Sequence, residues 1–434
     1  MKGIKMSLHN EVIETITKNA KAITHPLAIH ELAEKIAESR VVMLGEATHG
    51  TSEFYSYRAI LSEILIREYG FKFVAVEGDW PDASRLRRYI QKGEGKDART
   101  VLKQIQRWPL WMWANEEAVS FAEVLRYHQC GFYGLDVYSL YESISEVMTY
   151  LKKINPLLAK QVGDRYDCLG RFEGNEISYT KSLLAGESGC EKEVVSSLED
   201  LLKLRLENEH GDGERLFDTQ QNARVVMNAE KYYRTMLQGG ADSWNVRDHH
   251  MQDTLEQLLE HHGPQSKAIV WAHNTHIGDY RATDMLSEGY VNLGGLARQR
   301  FGSKNVSLIG FGTYQGSVVA AHAWGSREEI MKIPQAHAGS LEDACHQAAV
   351  RMGNNNYYLY FDDQLRQSAL TSVLGHRAIG VVYNPIHENR SQYVPTIVTE
   401  RYDAFIHIDR TQALQPIGGK IQRGVVPETW PEGQ

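Results

Sequence analysis

The strongest constraint on the fold of this chain is a set of short segments that are apolar at both odd and even positions. Each is bounded by turn residues, and most are followed by a stretch with helical spacing; the segments begin at Val41, Lys72, Gly131, Ala268, Val306, Tyr357, Ala378 and Ala404. A strand that is apolar on both faces needs cover on both sides, which is typical of a parallel sheet between helices. We therefore expect an α/β fold with three layers, α/β/α, and a mainly parallel sheet of roughly six to eight strands. A closed barrel would give a similar order of segments.

The spacing of these segments predicts how the chain is divided. Between residues 141 and 262 no strand-like segment occurs, and apolar residues recur at intervals of three and four, which indicates helices. We expect an N-terminal helical segment at 1–40, the first half of the α/β core at 41–140, a helical insertion at 141–262 and the second half of the core at 263–416. Residues 417–434 are expected to form a surface tail because they are rich in Gly and Pro.

The charge and hydropathy of the chain favour a small-molecule partner. The formal net charge is −8, spread along the sequence, so there is no basic patch of the kind that binds nucleic acid or an anionic membrane surface. No segment approaches the roughly 18 consecutive apolar residues of a membrane-spanning helix. These features predict no nucleic-acid partner and no membrane partner.

Cysteine usage and the amino terminus bear on the compartment. Cys130, Cys168, Cys190 and Cys345 are widely spaced and form no C-x-x-C pair, which argues against a zinc ribbon and against a dense disulfide framework. The first residues, "MKGIKMSLHNEVIETITKNAKAI", lack the continuous apolar stretch and cleavage site of a signal peptide. We therefore expect a cytoplasmic protein.

Ionisable side chains follow four of the predicted strands. In open α/β sheets, ligands bind beyond the carboxyl ends of the strands, where loops and helix amino termini converge. Four separate segments place such residues there, and they are Glu46 and His49, Glu77 and Asp79, Asp136, and His273 and His276. The sequence therefore predicts one shared polar site at this edge of the sheet.

The candidates differ in how well a structural role would explain them. Asp79 can cap the following helix, and Asp136 can be either a cap or a structural carboxylate. Glu46 and Glu77 follow apolar runs directly. Burying even a neutral polar group without a hydrogen-bond partner costs roughly 2 to 7 kcal/mol, and a charged carboxylate costs more. A functional role is therefore favoured for both residues. His49 lies at the predicted start of a helix, where a neutral imidazole, as a general base requires, is favoured over the imidazolium.

Two chemistries can use these residues, and their spacing does not separate them. One is a metal site, for which the available ligands are Glu46, His49, Glu77, His273 and His276. The other is acid–base hydrolysis without a metal, in which one histidine takes a proton from water. The H-x-x-H pair is expected in a turn after a strand, so the usual helical metal motif does not apply. No G-x-S-x-G nucleophile elbow, phosphate-binding loop or dinucleotide fingerprint occurs.

Several ordered motifs resemble one known family. "GEATHGTSEFYSYR", "VEGDW", "GLDVYS", "NVRDHHM" and "WAHNTHIG" occur in this order from about Val41 onward, and together they strongly resemble the erythromycin esterase family. Members are described as opening the lactone ring of macrolide antibiotics, while others carry a succinoglycan biosynthesis label. The resemblance implies an α/β fold whose helical insertion covers an active-site cleft, and hydrolysis without a required metal or other cofactor.

The resemblance also implies roles for individual residues. His49 would be the general base and Glu46 would orient it or the water. Glu77, His273 and His276 would complete the pocket, and Arg58 would hold a carboxylate or stabilise an oxyanion unless it is a solvated helix residue. Our candidates for contacting the substrate are Asp136 and Arg247, although "NVRD" can equally be a structural motif that starts a helix.

These observations predict a hydrolase of a carboxylic ester or lactone that works through His49. The alternatives are a metal-dependent hydrolase that uses the five ligands named above, and a non-catalytic binding protein on the same fold. Aromatic residues in the chain can either line a roomy cleft or pack in the core, and they are Trp108, Trp111, Trp113, Tyr232 and Tyr233.

Overall fold

The structure is a computed structural model that describes residues 2–172, 174–207, 213–236 and 239–420, so most of the predicted tail, 421–434, lies outside the described residues. The strands are β1 Lys21–Ala22, β2 Val41–Leu44, β3 Phe73–Asp79, β4 Gly131–Asp136, β5 Ala268–Trp271, β6 Val306–Ala320, β7 Glu329–Ile333, β8 Asn356–Tyr360, β9 Val373–Arg377, β10 Tyr393–Ile397 and β11 Ala404–Thr411. The helices before the insertion are α1 Lys2–Asn19, α2 His30–Ile36, α3 Ser52–Tyr69, α4 Trp80–Lys92, α5 Ala98–Leu102 and α6 Glu116–His128.

The remaining helices fall into two groups. Between β4 and β5 lie α7 Leu140–Ile154, α8 Pro156–Gly170, α9 Glu176–Leu184, α10 Glu191–Glu207, α11 Gly213–Met236 and α12 Asp242–His261. After β5 lie α13 Asn274–Ile277, α14 Leu293–Phe301, α15 Leu341–Met352, α16 Glu388–Ser391 and α17 Val398–Arg401.

Within the described residues, the main sheet has nine strands and is mostly parallel, which confirms the predicted fold class. The strand order is β1-β8-β11-β6-β2-β5-β3-β4, and β7 pairs with the end of β6. Neighbouring strands from β11 to β4 are parallel, whereas β8 is antiparallel to both β11 and β1. The strands β2, β5, β3 and β4 are therefore neighbours whose carboxyl ends lie at one edge of the sheet.

The core forms on both faces of the sheet because side chains alternate along each strand. Val42 and Leu44 of β2 pack in one cluster with residues of α2, α3 and α6, and Val41 and Met43 pack in a second cluster with residues of α1, α12, α14 and α15. The same strand is thus apolar at every position. This arrangement explains why the sequence showed runs without alternation.

The helices between β4 and β5 have an apolar cluster of their own. It contains buried residues of α7, α8, α10 and α11, among them Val147, Val162, Leu201 and Val226. A disulfide joins Cys168 to Cys190 in this layer, although the two cysteines are far apart in sequence, because α8 packs against α10. Disulfides are uncommon in a reducing compartment, so this pair does not support the cytoplasmic expectation.

Two details of the strand prediction were wrong. The sheet has nine strands, more than the number expected, because β1 and β7 are short edge strands that the apolar pattern does not reveal. The segment that begins at Ala378 is not a strand; Ile379 and Val382 make only isolated bridges to Thr48 and Ala321. Within the described residues, no helix is long and apolar enough to cross a membrane.

Candidate active site

The carboxyl ends of the four neighbouring strands bring the predicted residues together. Glu46 and His49 follow β2, Glu77 lies near the end of β3, Asp136 is the last residue of β4, and His273 follows β5. All five side chains are buried, with at most 3% of their surface exposed. Parallel strands that are adjacent in the sheet therefore deliver residues separated by long stretches of sequence to one site.

Glu46 connects His49 to Arg58. His49 Nδ1 is 2.9 Å from Glu46 Oε1, and Arg58 Nη2 donates to Glu46 Oε2 at 2.6 Å. The Arg58 guanidinium lies over the rings of Tyr55 and Trp271, with its Cζ 4.4 and 4.5 Å from the ring centroids. Arg58 is therefore not the solvated helix residue considered from the sequence, and its contact in this site is with Glu46.

His273 is held by the first turn of α13. It is the N-cap residue of this short helix, and its Nδ1 accepts a hydrogen bond from the Thr275 backbone N–H at 3.3 Å. Its own backbone N–H donates to Glu77 Oε2 at 2.8 Å. Burial is the main cause that lowers the pKa of His273 well below its ordinary value, although the Glu77 charge opposes this.

The rings of His49 and His273 lie next to each other. Their centroids are 4.8 Å apart and the planes are tilted by 36°. The Nε2 atom of each ring is buried and makes no hydrogen bond with any described residue. A buried polar atom without a partner is uncommon, and two on neighbouring imidazoles mark a position where a water or a substrate oxygen can bind.

Arg247 contacts a second group of charged residues at this site. Arg247 Nε and Nη2 donate to the two oxygens of Asp136 at 2.9 and 2.7 Å, and Nη2 also donates to Glu77 Oε1 at 2.7 Å. Burial alone would raise the pKa of Glu77, but His276, Arg247, His49 and a backbone hydrogen bond outweigh it and lower the pKa well below its ordinary value. Asp136 and Arg247, the candidates for contacting the substrate, thus contact each other.

His276 has both ring nitrogens engaged. Nδ1 is 3.0 Å from both oxygens of Asp248, and Nε2 accepts from Arg247 Nη1 at 3.0 Å. The ring stacks on Trp244 with centroids 4.4 Å apart. Burial opposes the charged ring, but Asp248 and Glu77 outweigh it and raise the pKa of His276. The hydrogen bond from Arg247 opposes this rise in pKa, because it requires a lone pair on Nε2. In the neutral ring, the same hydrogen bond places the proton on Nδ1. The turn that carries His276 is helical, which the sequence interpretation missed.

The five residues proposed as metal ligands do not form a metal-binding group in this arrangement. Over the described part of the chain, no set of three or more His, Cys, Asp or Glu side chains is placed to hold a metal ion. Glu46 and Glu77 already use both carboxylate oxygens, and His276 both ring nitrogens, in hydrogen bonds with other residues of the protein. Of the five residues, only His49 and His273 keep a ring nitrogen without a hydrogen-bond partner in the described part of the chain, fewer than the three protein ligands of a catalytic zinc site.

Asp79 belongs to a neighbouring cluster. It is the N-cap residue of α4, but its side chain makes no capping hydrogen bond; instead its Oδ2 accepts from Arg107 Nε at 2.7 Å. Arg107 also contacts Glu142 and Glu176 at 3.0 to 3.1 Å. Burial raises the pKa of Asp79 to about 6. This cluster ties the end of β3 to α7 and α9.

The aromatic residues considered for a cleft are in the interior. Trp108, Trp111 and Trp113 are at most 9% exposed, and they lie around a 3-10 turn at Leu110–Met112 and not on a helix face. Tyr232 and Tyr233 of α11 are fully buried in the core of the helical layer. These side chains stabilise the fold and do not identify a substrate.

Two residues near the histidines have contacts that the sequence interpretation did not assign. Asp248, the neighbour of Arg247 in the "NVRD" motif, pairs with His276. Thr275, inside the "HNTH" motif, contacts His273. The motifs that contain Asp248 and Thr275 were the signal in the sequence that could have identified these residues. Spacing along the chain, however, does not indicate which side chain each residue contacts.

Comparison with known proteins gives consistent matches. The sequence profile of the erythromycin esterase family matches residues 66–411, a range that begins after Glu46, His49 and Arg58. Among curated proteins, the chain is 23% identical over 374 residues to an erythromycin esterase type II of Escherichia coli, covering 76% of this chain and 82% of that protein. It is 22% identical over 347 residues to the putative hydrolase YbfO of Bacillus subtilis (strain 168), covering 72% of each.

Solved structures share the fold. A crystal structure described as a succinoglycan biosynthesis protein superposes with a TM-score of 0.75 at 22% identity, covering 94% of this chain and 99% of that one. A mutant of the erythromycin esterase EreC in its open conformation superposes with a TM-score of 0.66 at 16% identity, with the same coverage. At these identities the structures establish the common fold alone.

Proposed function

This chain belongs to the erythromycin esterase family, and on that premise we propose that it is a hydrolase that cleaves a carboxylic ester or lactone with a water activated by His49. The observation that carries the proposal is the pair of neighbouring imidazoles of His49 and His273, whose buried Nε2 atoms make no hydrogen bond with the described residues. The hydrogen bonds made by Nδ1 of each ring make Nε2 of His49 an acceptor and Nε2 of His273 a donor.

His49 presents a lone pair. An ionised carboxylate can only accept a hydrogen bond, so the bond between His49 Nδ1 and Glu46 Oε1 has the imidazole as its donor. With the proton on Nδ1, Nε2 of the neutral ring is an acceptor. This is the atom that would take a proton from water, a contribution of roughly 10²- to 10⁴-fold to the rate of a general-base reaction.

His273 presents a proton. Its Nδ1 accepts from the Thr275 backbone N–H, which can only donate, so the proton of the neutral ring is on Nε2. Burial keeps this ring neutral by lowering its pKa. A neutral Nε2–H next to the attacking water would donate to the carbonyl oxygen as negative charge develops there, worth roughly 3 to 4 kcal/mol for one donor of this kind.

The surrounding charges would assist this reaction. When His49 takes a proton from water it becomes an imidazolium, which Glu46 at 2.9 Å would stabilise, while the hydroxide adds to the carbonyl carbon. As the tetrahedral intermediate collapses and its bond to the alkoxy oxygen breaks, His49 would give this proton to the leaving alkoxide. Arg58 would hold Glu46 in place and would not itself bind the oxyanion, because its guanidinium is enclosed by two aromatic rings and directed at Glu46. Arg247, Glu77 and His276 would fix the turn that carries His273.

The substrate is a small molecule with a carboxylic ester or lactone, and a macrolide is one candidate because a relative is named an erythromycin esterase. A panel of macrolides and p-nitrophenyl esters should therefore be tested with the wild type and with His49→Asn. His322→Asn, which changes an exposed histidine, is the matched control. Incubation in ¹⁸O-labelled water should place one label in the acid product.

We expect His49→Asn to reduce turnover by at least about 100-fold with its folding unchanged, and His322→Asn to behave as wild type. Turnover that is unchanged in His49→Asn contradicts the proposed base. Tight binding of an ester without cleavage of any compound would favour the non-catalytic alternative.

A further inference from the structure

Thr275 contacts the Nδ1 side of His273 through two groups. Its backbone N–H donates to Nδ1 at 3.3 Å, and its hydroxyl Oγ1 is 2.8 Å from the same nitrogen. The Thr275 residue is 3% exposed, so water does not compete for these contacts. The hydroxyl forms no other hydrogen bond with the described residues.

The turn that carries Thr275 is fixed by the surrounding structure. Asn292 Nδ2 donates to the Thr275 carbonyl at 2.6 Å, and Asn292 Oδ1 accepts from the Gly295 backbone N–H at 3.1 Å. Arg401 Nη2 donates to the carbonyl of Asn274 at 3.2 Å. The N–H of Thr275 therefore has little freedom to turn away from His273.

A fixed amide at Nδ1 decides between the two neutral forms of the ring. If Nδ1 carried the proton, it would face the Thr275 N–H, and two donors cannot bond to each other. With the proton on Nε2, the single lone pair of Nδ1 faces both the amide and the hydroxyl hydrogen, and the hydroxyl at 2.8 Å is the closer of the two donors. We propose that Thr275 is a positioning residue that holds His273 as the Nε2–H tautomer, so that the neighbouring His49 and His273 rings offer one Nε2 acceptor and one Nε2 donor.

The inference rests on the proposed hydrolysis for its functional meaning. In the opposite tautomer, both Nε2 atoms would be hydrogen-bond acceptors, and the carbonyl oxygen of an ester would lose its donor. The other titratable groups that face His273 are His49, Glu77 and His276. In the described part of the chain, none of these three side chains forms a hydrogen bond with Nδ1 of His273.

Three variants test this role. Thr275→Val keeps the branched shape and removes the hydroxyl, and Thr275→Ser restores a hydroxyl. Thr399→Val is the matched control, because Thr399 is also fully buried but its Oγ1 has no hydrogen-bond partner in the described residues. Thermal unfolding of all three checks that they fold.

The direct readout is the ¹⁵N NMR signal of the His273 ring in histidine-labelled protein, assigned by its loss in His273→Gln. We expect wild type and Thr275→Ser to show a protonated Nε2 and an unprotonated Nδ1 from pH 5 to 9, and Thr275→Val to show a shifted or exchanging Nδ1. A proton on Nδ1 in the wild type, or a Thr275→Val spectrum identical to the wild type, overturns the inference. This measurement needs no substrate, so it is decisive even if no ester is cleaved and the proposed function fails.

The kinetic readout uses an activated ester. We expect Thr275→Val to lower kcat about tenfold, the effect of weakening one hydrogen bond, with KM within about twofold of wild type. Thr275→Ser should recover most of kcat. A loss of kcat that Thr399→Val shares, or that Thr275→Ser does not recover, overturns the inference.

Discussion

Arg58 and Glu46 form a buried ion pair, with Nη2 donating to Oε2 at 2.6 Å and neither side chain more than 3% exposed. A buried pair of this kind is costly to break, because the remaining charge has no water to solvate it. The pair also determines how His49 is held, since Glu46 uses its other oxygen for His49 Nδ1. Stability and the orientation of the proposed base thus depend on the same contact.

Replacing Arg58 with Met should destabilise the fold by roughly 3 to 5 kcal/mol, because Glu46 is left as an uncompensated buried charge. The double variant Arg58→Met/Glu46→Gln should recover part of this loss, since its remaining partner is neutral. Urea denaturation of both variants and of each single change measures the coupling. An Arg58→Met protein within about 1 kcal/mol of the wild type would show that the pair is not isolated from solvent.

Asp79→Asn should change how stability depends on pH. Burial raises the pKa of Asp79 to about 6 in the folded protein, above its unfolded value, so the folded state binds the proton more tightly. The stability of the wild type should therefore fall relative to the variant as the pH rises from about 4 to about 6, by about 3 kcal/mol at roughly 1.4 kcal/mol per pKa unit.

Urea denaturation at pH 4 and pH 7 measures this difference. Asp164→Asn, which changes an exposed aspartate on α8, is the control and should show no such dependence. A constant difference between the wild type and Asp79→Asn at the two pH values would mean that Asp79 is ionised in the folded protein throughout.

Asp248→Asn should lower the pKa of His276. Asp248 and Glu77 raise this pKa above its ordinary value despite burial, so His276 contributes stability below its unfolded pKa, and this contribution is lost as the pH rises through the folded pKa. Without the Asp248 charge, both the pKa and this loss of stability should decrease. NMR titration of the His276 Cε1 signal measures the change, and Asp253→Asn, at an exposed position of the same helix, should leave it unaltered.

Gly50→Ala should destabilise the fold by about 3 kcal/mol, the upper end for overpacking. A Cβ atom at Gly50 would lie 1.9 Å from the Val319 carbonyl oxygen, and a backbone atom in β6 cannot move aside cheaply. Gly170→Ala on α8 is the matched control: its Cβ would be 3.9 Å from the nearest atom, and alanine favours the helix. Similar unfolding free energies for the two variants would contradict the close packing of Gly50 against β6.

Removal of metal ions should not affect turnover. Of the proposed ligands, only His49 and His273 keep a nitrogen that none of the described residues contacts by a hydrogen bond, and two ligands are fewer than a catalytic zinc site needs. Chelator treatment followed by metal analysis and an activity assay tests this. Activity that is lost with the metal and restored by zinc or manganese would support the metal-dependent alternative.

The site could be predicted in part from local pattern. Glu46 and His49, Glu77, Asp136, and His273 follow segments that are apolar at every position, and the structure has them after or at the ends of β2, β3, β4 and β5. Their convergence follows from the parallel sheet, which the same pattern predicts. The edge strands β1 and β7 were missed because two or five residues with few buried positions leave little periodicity to detect.

What the sequence determined by itself is the layered α/β architecture and the positions of the polar residues, since both depend on which side chains each short segment buries. What only the tertiary structure decided is which groups contact one another. Arg247 joins Asp136, Glu77 and His276 because α12 packs against β4, and Cys168 bonds to Cys190 because α8 packs against α10. The opposite hydrogen-bonding character of the two neighbouring imidazoles likewise depends on Glu46 behind one ring and Thr275 behind the other. Hydrogen bonds and ion pairs act over a few ångströms in space, and distance along the chain does not specify them.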